Sequence, residues 1–437
     1  MEEQIIPIVY ASDENFLKQT YVSIYSVLAN RKQDYDIKFY ILVPEGCKEA
    51  DYNINWDFMN YSIEYIPISS SYFVGVKMTL QNITKPTYYR LLIPMLLSEY
   101  NRCLYLDGDT VCLFDIEELY RIELENNLIA AAMGAIIPFD GPYREKVLNI
   151  PDATHYINAG VLIMNLQQMR SENKVEEFLK CSERELHCQD QDVLNICCYN
   201  YIKLLPLRYN IYNTVFNMSE QMLMERYTKE EIREAFANPA IIHYPGEFSK
   251  PWNNLQCVKS TEWWDYAICA LKKNIVREMK DNAQKRMEHY DYNILFEKVK
   301  ECKQLVIFGF SELGQAFCEQ VDEIYPNRIV CFGDNAKEKQ EKTYRNYEVL
   351  SPYKIKEKFP NALIVVTSQR YSNIIEKQLL ENGFSASQIV VYRKKIMKYL
   401  YSMDKMFWNE AKKEIHLDNL SWNELIRELK IFEEDLN

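Results

Sequence analysis

Glycine is scarce in this chain, 11 of 437 residues, so no Gly-rich linker or low-complexity tract can be built. No pair of its 12 cysteines has CxxC spacing, and Cys197 and Cys198 are adjacent. Scattered thiols inside apolar runs point to reduced, buried cysteines in a cytosolic protein, not to a disulfide scaffold. Excess positive charge is also missing: the net charge of −12 argues against general nucleic-acid binding, although it leaves room for a single nucleotide. Long apolar runs are absent, since the longest, Leu128 to Ile137, is too short to span a bilayer. The start, MEEQIIPIVY, is acidic and enters an apolar run at once, so no signal peptide is expected.

Aromatic side chains are plentiful, and the 33 tyrosines offer apolar bulk with a hydroxyl. The length suits two to four domains at roughly 100–200 residues each. Ile5–Tyr10, Ile37–Val43, Ile63–Ile68 and Cys103–Leu106 read as buried strands, with helical patterns over Tyr21–Leu28 and Thr87–Leu97 between them. This alternation predicts an α/β fold with a mostly parallel sheet. Leu128–Met133 and Tyr156–Asn165 read as further strands, and Gln189 to Asp192 leads into an apolar helix.

In a parallel sheet, ligands bind outside the carboxyl ends of the strands. Asp13 and Asn15 follow the first strand and Asp107-Gly108-Asp109 follows a later one, so all would share that edge. Two carboxylates so close repel unless a cation lies between them, and a divalent metal with oxygen ligands suits the pair. Plain turn chemistry at a strand end is the competing reading. Asp190, taken in isolation, reads as an N-terminal helix cap. His243 follows the apolar run Ala240–Ile242 and reads either as a hydrogen-bonded core residue or as a third ligand, imidazole with two carboxylates being a reasonable shell for Mn²⁺. Gly246 and Lys250 behind it suggest a turn that brings an ammonium to an anion.

Six blocks, IVYASDEN, PTYYRLL, CLYLDGDT, INAGVLIMN, CQDQDVLN and IIHYPGEFSKPW, stand in order across the first ~265 residues. Together they resemble the retaining glycosyltransferases of family 8, the family of glycogenin and the bacterial lipopolysaccharide galactosyl- and glucosyltransferases. The resemblance implies a GT-A nucleotide-diphospho-sugar transferase domain over 1–265. It also implies transfer of a hexose, glucose or galactose, from a UDP-sugar to a glycan, lipopolysaccharide or glycoprotein acceptor. Carried over by position, Ala11, Asp13 and Asn15 would hold the uridine and its ribose. Asp107, Asp109 and His243 would ligate Mn²⁺ (or Mg²⁺) on the diphosphate, with Gly108 between the aspartates. Gly246 and Lys250 would grip the diphosphate. Arg90, Asn158, Asp190 and Gln191 would surround the transferred sugar and the metal site, with Ala159 among the donor-binding residues and Arg90, Asp190 and Gln191 as the catalytic set. Retention is read as front-face attack by the acceptor, because Gln191 is a poor nucleophile. The chain departs from the family in two places. Three residues, not two, separate Gly246 from Lys250, and Gly134 stands where many relatives place a sugar-binding aspartate.

Residues 266–302 are charged and helical in pattern and read as a solvated connecting helix. Over 303–394 the strands Leu305–Phe308, Arg328–Gly333, Leu363–Thr367 and Ile389–Tyr392 read as a small Rossmann-like domain. Its Gly309-x-Ser311-x-x-Gly314 approaches the dinucleotide fingerprint, with Asp334 where a ribose-binding acid would stand. Nucleotide binding and a purely structural turn both fit. The tail 395–437 carries Trp408, Ile415, Leu417, Leu420, Trp422, Leu425 and Ile431 at helical spacing, for packing on a domain or a second copy. The expected location is the cytoplasm, with a peripheral place at the inner face of the membrane compatible with it. A non-catalytic sugar-nucleotide sensor or scaffold is the alternative function.

Overall fold

A computed structural model describes residues 5–47, 56–78, 84–134, 144, 146–152, 155–218, 220–224, 226–246, 249–289, 292–368 and 371–392. The tail 395–437 lies outside the described residues. Contacts divide the chain into two compact units, Met1–Pro251 with Cys257–Met279 and Trp252–Gln256 with Lys280–Asn437.

The first unit is built on strands β1 (Ile6–Ala11), β2 (Ile37–Pro44), β3 (Tyr61–Ile68), β4 (Arg102–Leu106), β5 (Thr110–Cys112), β6 (Ile129–Ala132), β7 (Val161–Asn165), β8 (Ile202–Leu205), β9 (Ile211–Tyr212) and β10 (Ile241–His243). A seven-stranded sheet has the order β3-β2-β1-β4-β7-β6-β8. β3, β2, β1 and β4 are parallel, β7 runs against both β4 and β6, and β8 is parallel to β6. Six strands therefore share one direction and β7 alone opposes them. That reversal brings the start of β7 to the carboxyl edge of the others, with Leu106 paired to Val161. β5, β10 and β9 form a second, small sheet in which β10 lies antiparallel to β5. The inner strands are buried on both faces, between one cluster around Val9, Tyr40, Leu92 and Tyr105 and another around Ile8, Phe39, Leu106 and Ile163, whereas the edge strands β3, expected to be buried, and β8 are largely half-exposed or exposed. Burying tyrosine is costly unless its hydroxyl finds a partner; Tyr10 bonds Ser23 at 3.1 Å and Tyr21 bonds Tyr65 at 2.7 Å.

Three sequence expectations are corrected here. Thr87–Leu97 is not one α-helix but a 3₁₀ stretch, Lys85–Leu92, followed by a short α-helix, Ile93–Leu96. Pro94 has no amide to bond the Arg90 carbonyl, which takes the Ile93 N–H instead. Tyr156–Asn165 is strand only from Val161, because Ile157 makes a single bridge to Met133 and a turn at Ala159-Gly160 intervenes. The expected connecting helix over 266–302 is instead the end of Ser260–Ala270 and the helices Lys273–His289 and Tyr292–Glu301. It is not uniformly solvated, since Val276, Met279, Ala283, Leu295 and Val299 are buried.

The second unit holds β11 (Leu305–Phe308), β12 (Ile329–Gly333), β13 (Thr343–Tyr344), β14 (Tyr347–Leu350), β15 (Leu363–Val366) and β16 (Ile389–Val391) in the order β13-β14-β12-β11-β15-β16. All pairs are parallel except the β13–β14 hairpin, which the sequence reading lacked. The parallel part follows the Rossmann order 3-2-1-4-5. Among the described residues no helix is long and apolar enough to cross a membrane.

Candidate active site

The carboxyl edge of the large sheet collects most of the residues singled out above. β4 ends at Leu106, and the Asp107 N–H bonds the Gly160 carbonyl at 2.7 Å, so β7 holds the loop down. β5 starts at Thr110 and pairs with His243, while the Tyr244 N–H bonds the Asp109 carbonyl at 2.9 Å. Two short pairings thus bring an imidazole from more than a hundred residues away onto the acidic turn. One ligand atom from each of Asp107, Asp109 and His243 lies within 4.8 Å of the others.

Each carboxylate has one oxygen already committed. Asp107 Oδ1 accepts from Arg90 Nη2 and the Tyr105 hydroxyl, both at 2.9 Å, and Oδ2 stands 3.8 Å from His243 Nε2. Asp109 Oδ2 takes the Lys250 ammonium, and Oδ1 lies 3.2 Å from His243 Nε2. Burial would raise the Asp109 carboxyl, but Lys250 and His243 outweigh it and hold Asp109 well below the usual carboxylate range. Asp109 stays ionised at any physiological pH, as a metal ligand must. Two carboxylates and an imidazole suit Mn²⁺ or Mg²⁺.

Gly160 makes room for this cluster. A Cβ there would lie 2.4 Å from His243 Cε1 and 2.8 Å from Asp107 Oδ2. Gly160→Ala is expected to push the imidazole aside and weaken divalent-metal binding by about 10–100-fold, the range for changes that support metal ligands; a Mn²⁺ titration followed by electron paramagnetic resonance measures it.

Arg90, expected beside the sugar, is fully enclosed and bridges the site. Its Nε lies 2.9 Å from Asp190 Oδ2, Nη2 reaches Asp107, Nη1 donates to the Ala159 carbonyl at 2.5 Å, and the guanidinium lies 4.3 Å over the Tyr105 ring. Asp190 is not the helix cap. Gln189 holds that position, and the Asp190 carboxylate takes Arg90 and the Thr87 hydroxyl, the latter at 2.5 Å. Burial pushes Asp190 up to about 6, with Arg90 and Thr87 pulling down and Asp107 adding to the rise.

Gln191 Oε1 accepts from Asn158 Nδ2 at 2.8 Å and from the Ala159 N–H at 3.1 Å. Ala11 ends β1, half-buried. Asp13 Oδ1 accepts from the N–H groups of Asn15 and Phe16, and its Oδ2 from the Thr84 hydroxyl at 2.9 Å. That carboxylate shapes its own turn, and Asn15 is exposed. The turn adjoins the Asp107–Asp109 loop through Phe16, which would meet a Cβ on Gly108 at 3.2 Å and lies 5.4 Å from Lys250 Nζ. Gly246 has φ +77°, a conformation glycine adopts freely, and the Lys250 ammonium also donates to the Tyr244 carbonyl at 3.0 Å. Thr87, Tyr105, Gly160 and Asp192 join the site from within the quoted blocks, though none was singled out there, and Tyr156 and Asn210 join it from outside them.

In the second unit a Cβ on Gly314 would lie 2.1 Å from the Gly309 carbonyl oxygen, so the glycine is needed for strand–helix packing alone. Ser311 caps the helix Glu312–Ile324. Asp334 accepts from the N–H groups of Phe310 and Ala336 at 2.8 and 2.9 Å and faces Lys339 at 3.4 Å. Protein groups take the contacts that a ribose would use, which favours the structural reading of this turn.

Comparison with known proteins fits this geometry. The family model described as Glycosyl transferase family 8 matches residues 7–256, and one described as C2185-like, N-terminal, matches 301–390. General stress protein A of Bacillus subtilis (strain 168) is 28% identical over 267 residues, covering 58% of this chain and 89% of that protein. Lipopolysaccharide 1,3-galactosyltransferase of Salmonella typhimurium (strain LT2) is 28% identical over 310 residues, covering 66% and 88%. The solved structure of the galactosyltransferase LgtC with donor and acceptor sugar analogues superposes with a TM-score of 0.53 at 24% identity, over 63% of this chain and 100% of that one. At that identity the likeness is one of fold, and it shows a GT-A-type α/β glycosyltransferase architecture.

Proposed function

Because the chain belongs to glycosyltransferase family 8, we propose that it is a metal-dependent retaining hexosyltransferase. Its donor is a UDP-sugar, glucose or galactose, and its acceptor a glycan, lipopolysaccharide or glycoprotein. The observation that carries this reading is the convergence of Asp107, Asp109 and His243 on one point at the sheet edge where such donors bind. A mere sensor or scaffold would not need a metal shell.

Asp107, Asp109 and His243 would hold Mn²⁺ or Mg²⁺, and such a cation, when bound, stabilises charge on a departing diphosphate. Lys250, on the same turn as Gly246, adds an ammonium whose attraction grows as that charge develops. Ala11, Asp13 and Asn15 border the place for uridine. Arg90 orients Asp107 and Asp190 and leaves Asn158, Ala159 and Gln191 to meet the sugar.

In the reaction the bond from the anomeric carbon to the phosphate oxygen breaks, a bond to the acceptor oxygen forms on the same face, and the acceptor's proton passes to the departing diphosphate. A double displacement would need a free nucleophile. The Asp190 carboxylate is paired with Arg90 and bonded by Thr87, and the Gln191 amide is hydrogen-bonded at its oxygen and its nitrogen. Both arrangements favour front-face attack, with these groups steadying the cationic sugar; isolation of a sugar ester on Asp190 would overturn it. Location in the cytoplasm remains part of this proposal.

Hydrolysis of a panel of UDP-sugars with and without Mn²⁺ tests the function. Release of UDP from one of them only with metal is expected; no release from any, or release indifferent to metal, sinks the reading.

The pH profile tests the Arg90–Asp190 pair. With Asp190 pushed up to about 6, the rate is expected to fall as pH drops through that value, and Asp190→Asn to remove this limb along with most of the rate. Stability runs the other way. The folded pKa is raised, so this group's contribution is full below the unfolded value of ~4 and is lost as pH rises through the folded one.

A further inference from the structure

Behind the metal ligands the side chains form one hydrogen-bonded chain with a single direction. The Tyr156 hydroxyl donates to the buried Asp192 carboxylate at 2.5 Å, which leaves the phenol oxygen to accept from Gln191 Nε2 at 3.2 Å. The oxygen of that amide then faces Asn158 Nδ2, and Asn158 Oδ1 accepts from Asn210 Nδ2 at 2.7 Å. Asn210 Oδ1 remains, 2.9 Å from His243 Nδ1.

An amide read from such a chain can be turned over unless something fixes it. Here two backbone groups do. The Ala159 N–H can only donate, and it reaches Gln191 Oε1 at 3.1 Å; the Gly160 N–H reaches Asn158 Oδ1 at 2.9 Å. With Asn158 Oδ1 so placed, Asn210 must present its NH₂ to it and its oxygen to the imidazole. An amide oxygen only accepts, so His243 Nδ1 carries the hydrogen and Nε2 is the atom free to coordinate. Nε2 is also the nitrogen that faces both aspartates, at 3.2 and 3.8 Å.

We propose that Asn210, 1% exposed and outside every sequence motif, is the positioning residue that sets the protonation pattern of His243 and ties it through Asn158 to Gln191. The inference rests on reading Asp107, Asp109 and His243 as a metal site. Asparagine is suited to the position because it accepts from the imidazole and donates to Asn158. Aspartate can do only the first, and leucine neither. Ligating histidines are oriented through their other ring nitrogen, and loss of such a partner typically weakens metal binding 10–100-fold.

The two arms separate in Asn210→Asp and Asn210→Leu. Asn210→Asp is expected to keep Mn²⁺ affinity within a few-fold of the natural protein while kcat falls, because Asn158 loses its donor. Asn210→Leu is expected to lose affinity by about 10–100-fold and kcat as well. Equal affinities in the two variants would overturn the proposal. A second readout needs no metal and no substitution at Asn210. In the natural chain labelled with ¹⁵N-histidine, which has 5 histidines, the His243 signal is identified by its loss in His243→Gln. Nδ1 is expected to hold its hydrogen whether or not Nε2 is protonated, and a bare Nδ1 contradicts the proposal. If the natural chain binds no Mn²⁺, the metal-site reading fails, and the Nδ1 signal still decides the role of Asn210.

Discussion

Asp109→Asn is expected to lower the metal-dependent rate by about 10³-fold while leaving the fold intact. The two side chains have the same shape, so the change is one of charge. Asp109 is buried, yet Lys250 and His243, both in contact with it, keep it ionised. The amide removes one of two negative charges from the donor set and ends the ion pair between Asp109 and the Lys250 ammonium. Removing a single preorganised electrostatic group costs about 10²–10³ in kcat, and weaker metal binding adds to that at ordinary metal concentrations. UDP release measured across a Mn²⁺ titration separates the two losses. A variant that keeps its Mn²⁺-dependent rate within tenfold would remove Asp109 from the site.

The second large effect is on stability. Arg90→Met removes a guanidinium that is closed off from solvent and compensates two carboxylates at 2.9 Å, Asp107 and Asp190. Methionine approximates the volume but strands both charges. Breaking a buried pair by deleting one partner costs about 3–5 kcal/mol. At roughly 2–4 °C per kcal/mol for a unit of this size, the unfolding midpoint is expected to fall by roughly 6–20 °C. Arg90→Lys should recover only part of this, because a point ammonium cannot bridge Asp107, Asp190 and the Ala159 carbonyl together. Thermal unfolding of the full chain checks both variants. A midpoint within about 2 °C of the natural protein would mean that Arg90 bears no such load.

The three residues of the candidate metal site were legible because their signal is local. An apolar strand that breaks into Asp-Gly-Asp, and an apolar run that ends in His243, are visible without knowing what lies alongside. The partners of those residues were not legible, because each is defined by a neighbour remote in sequence. Asn210 matters only because β9 lies beside β10, and nothing in LRYNIYN marks it. Arg90 was read as lying around the sugar and the metal site, but its bond to Asp190, a hundred residues away, had no signal. Strand direction was equally hidden. The apolar pattern of β7 reads the same either way, yet its reversal is what brings Asn158, Ala159 and Gly160 to the active edge. The break in Thr87–Leu97 could have been seen from Pro94, whose missing amide outweighed the helical spacing of Tyr88, Leu91, Leu92 and Met95.

On the reading proposed above, Asp107, Asp109 and His243 share one divalent cation that holds a sugar donor's diphosphate. Crystals of the full chain grown with Mn²⁺ and UDP, with anomalous scattering recorded near the manganese edge, test it most directly. A single manganese peak bonded to all three side chains and to diphosphate oxygens is the expected result. A peak elsewhere, or the three side chains turned away from one another with UDP bound, would contradict it.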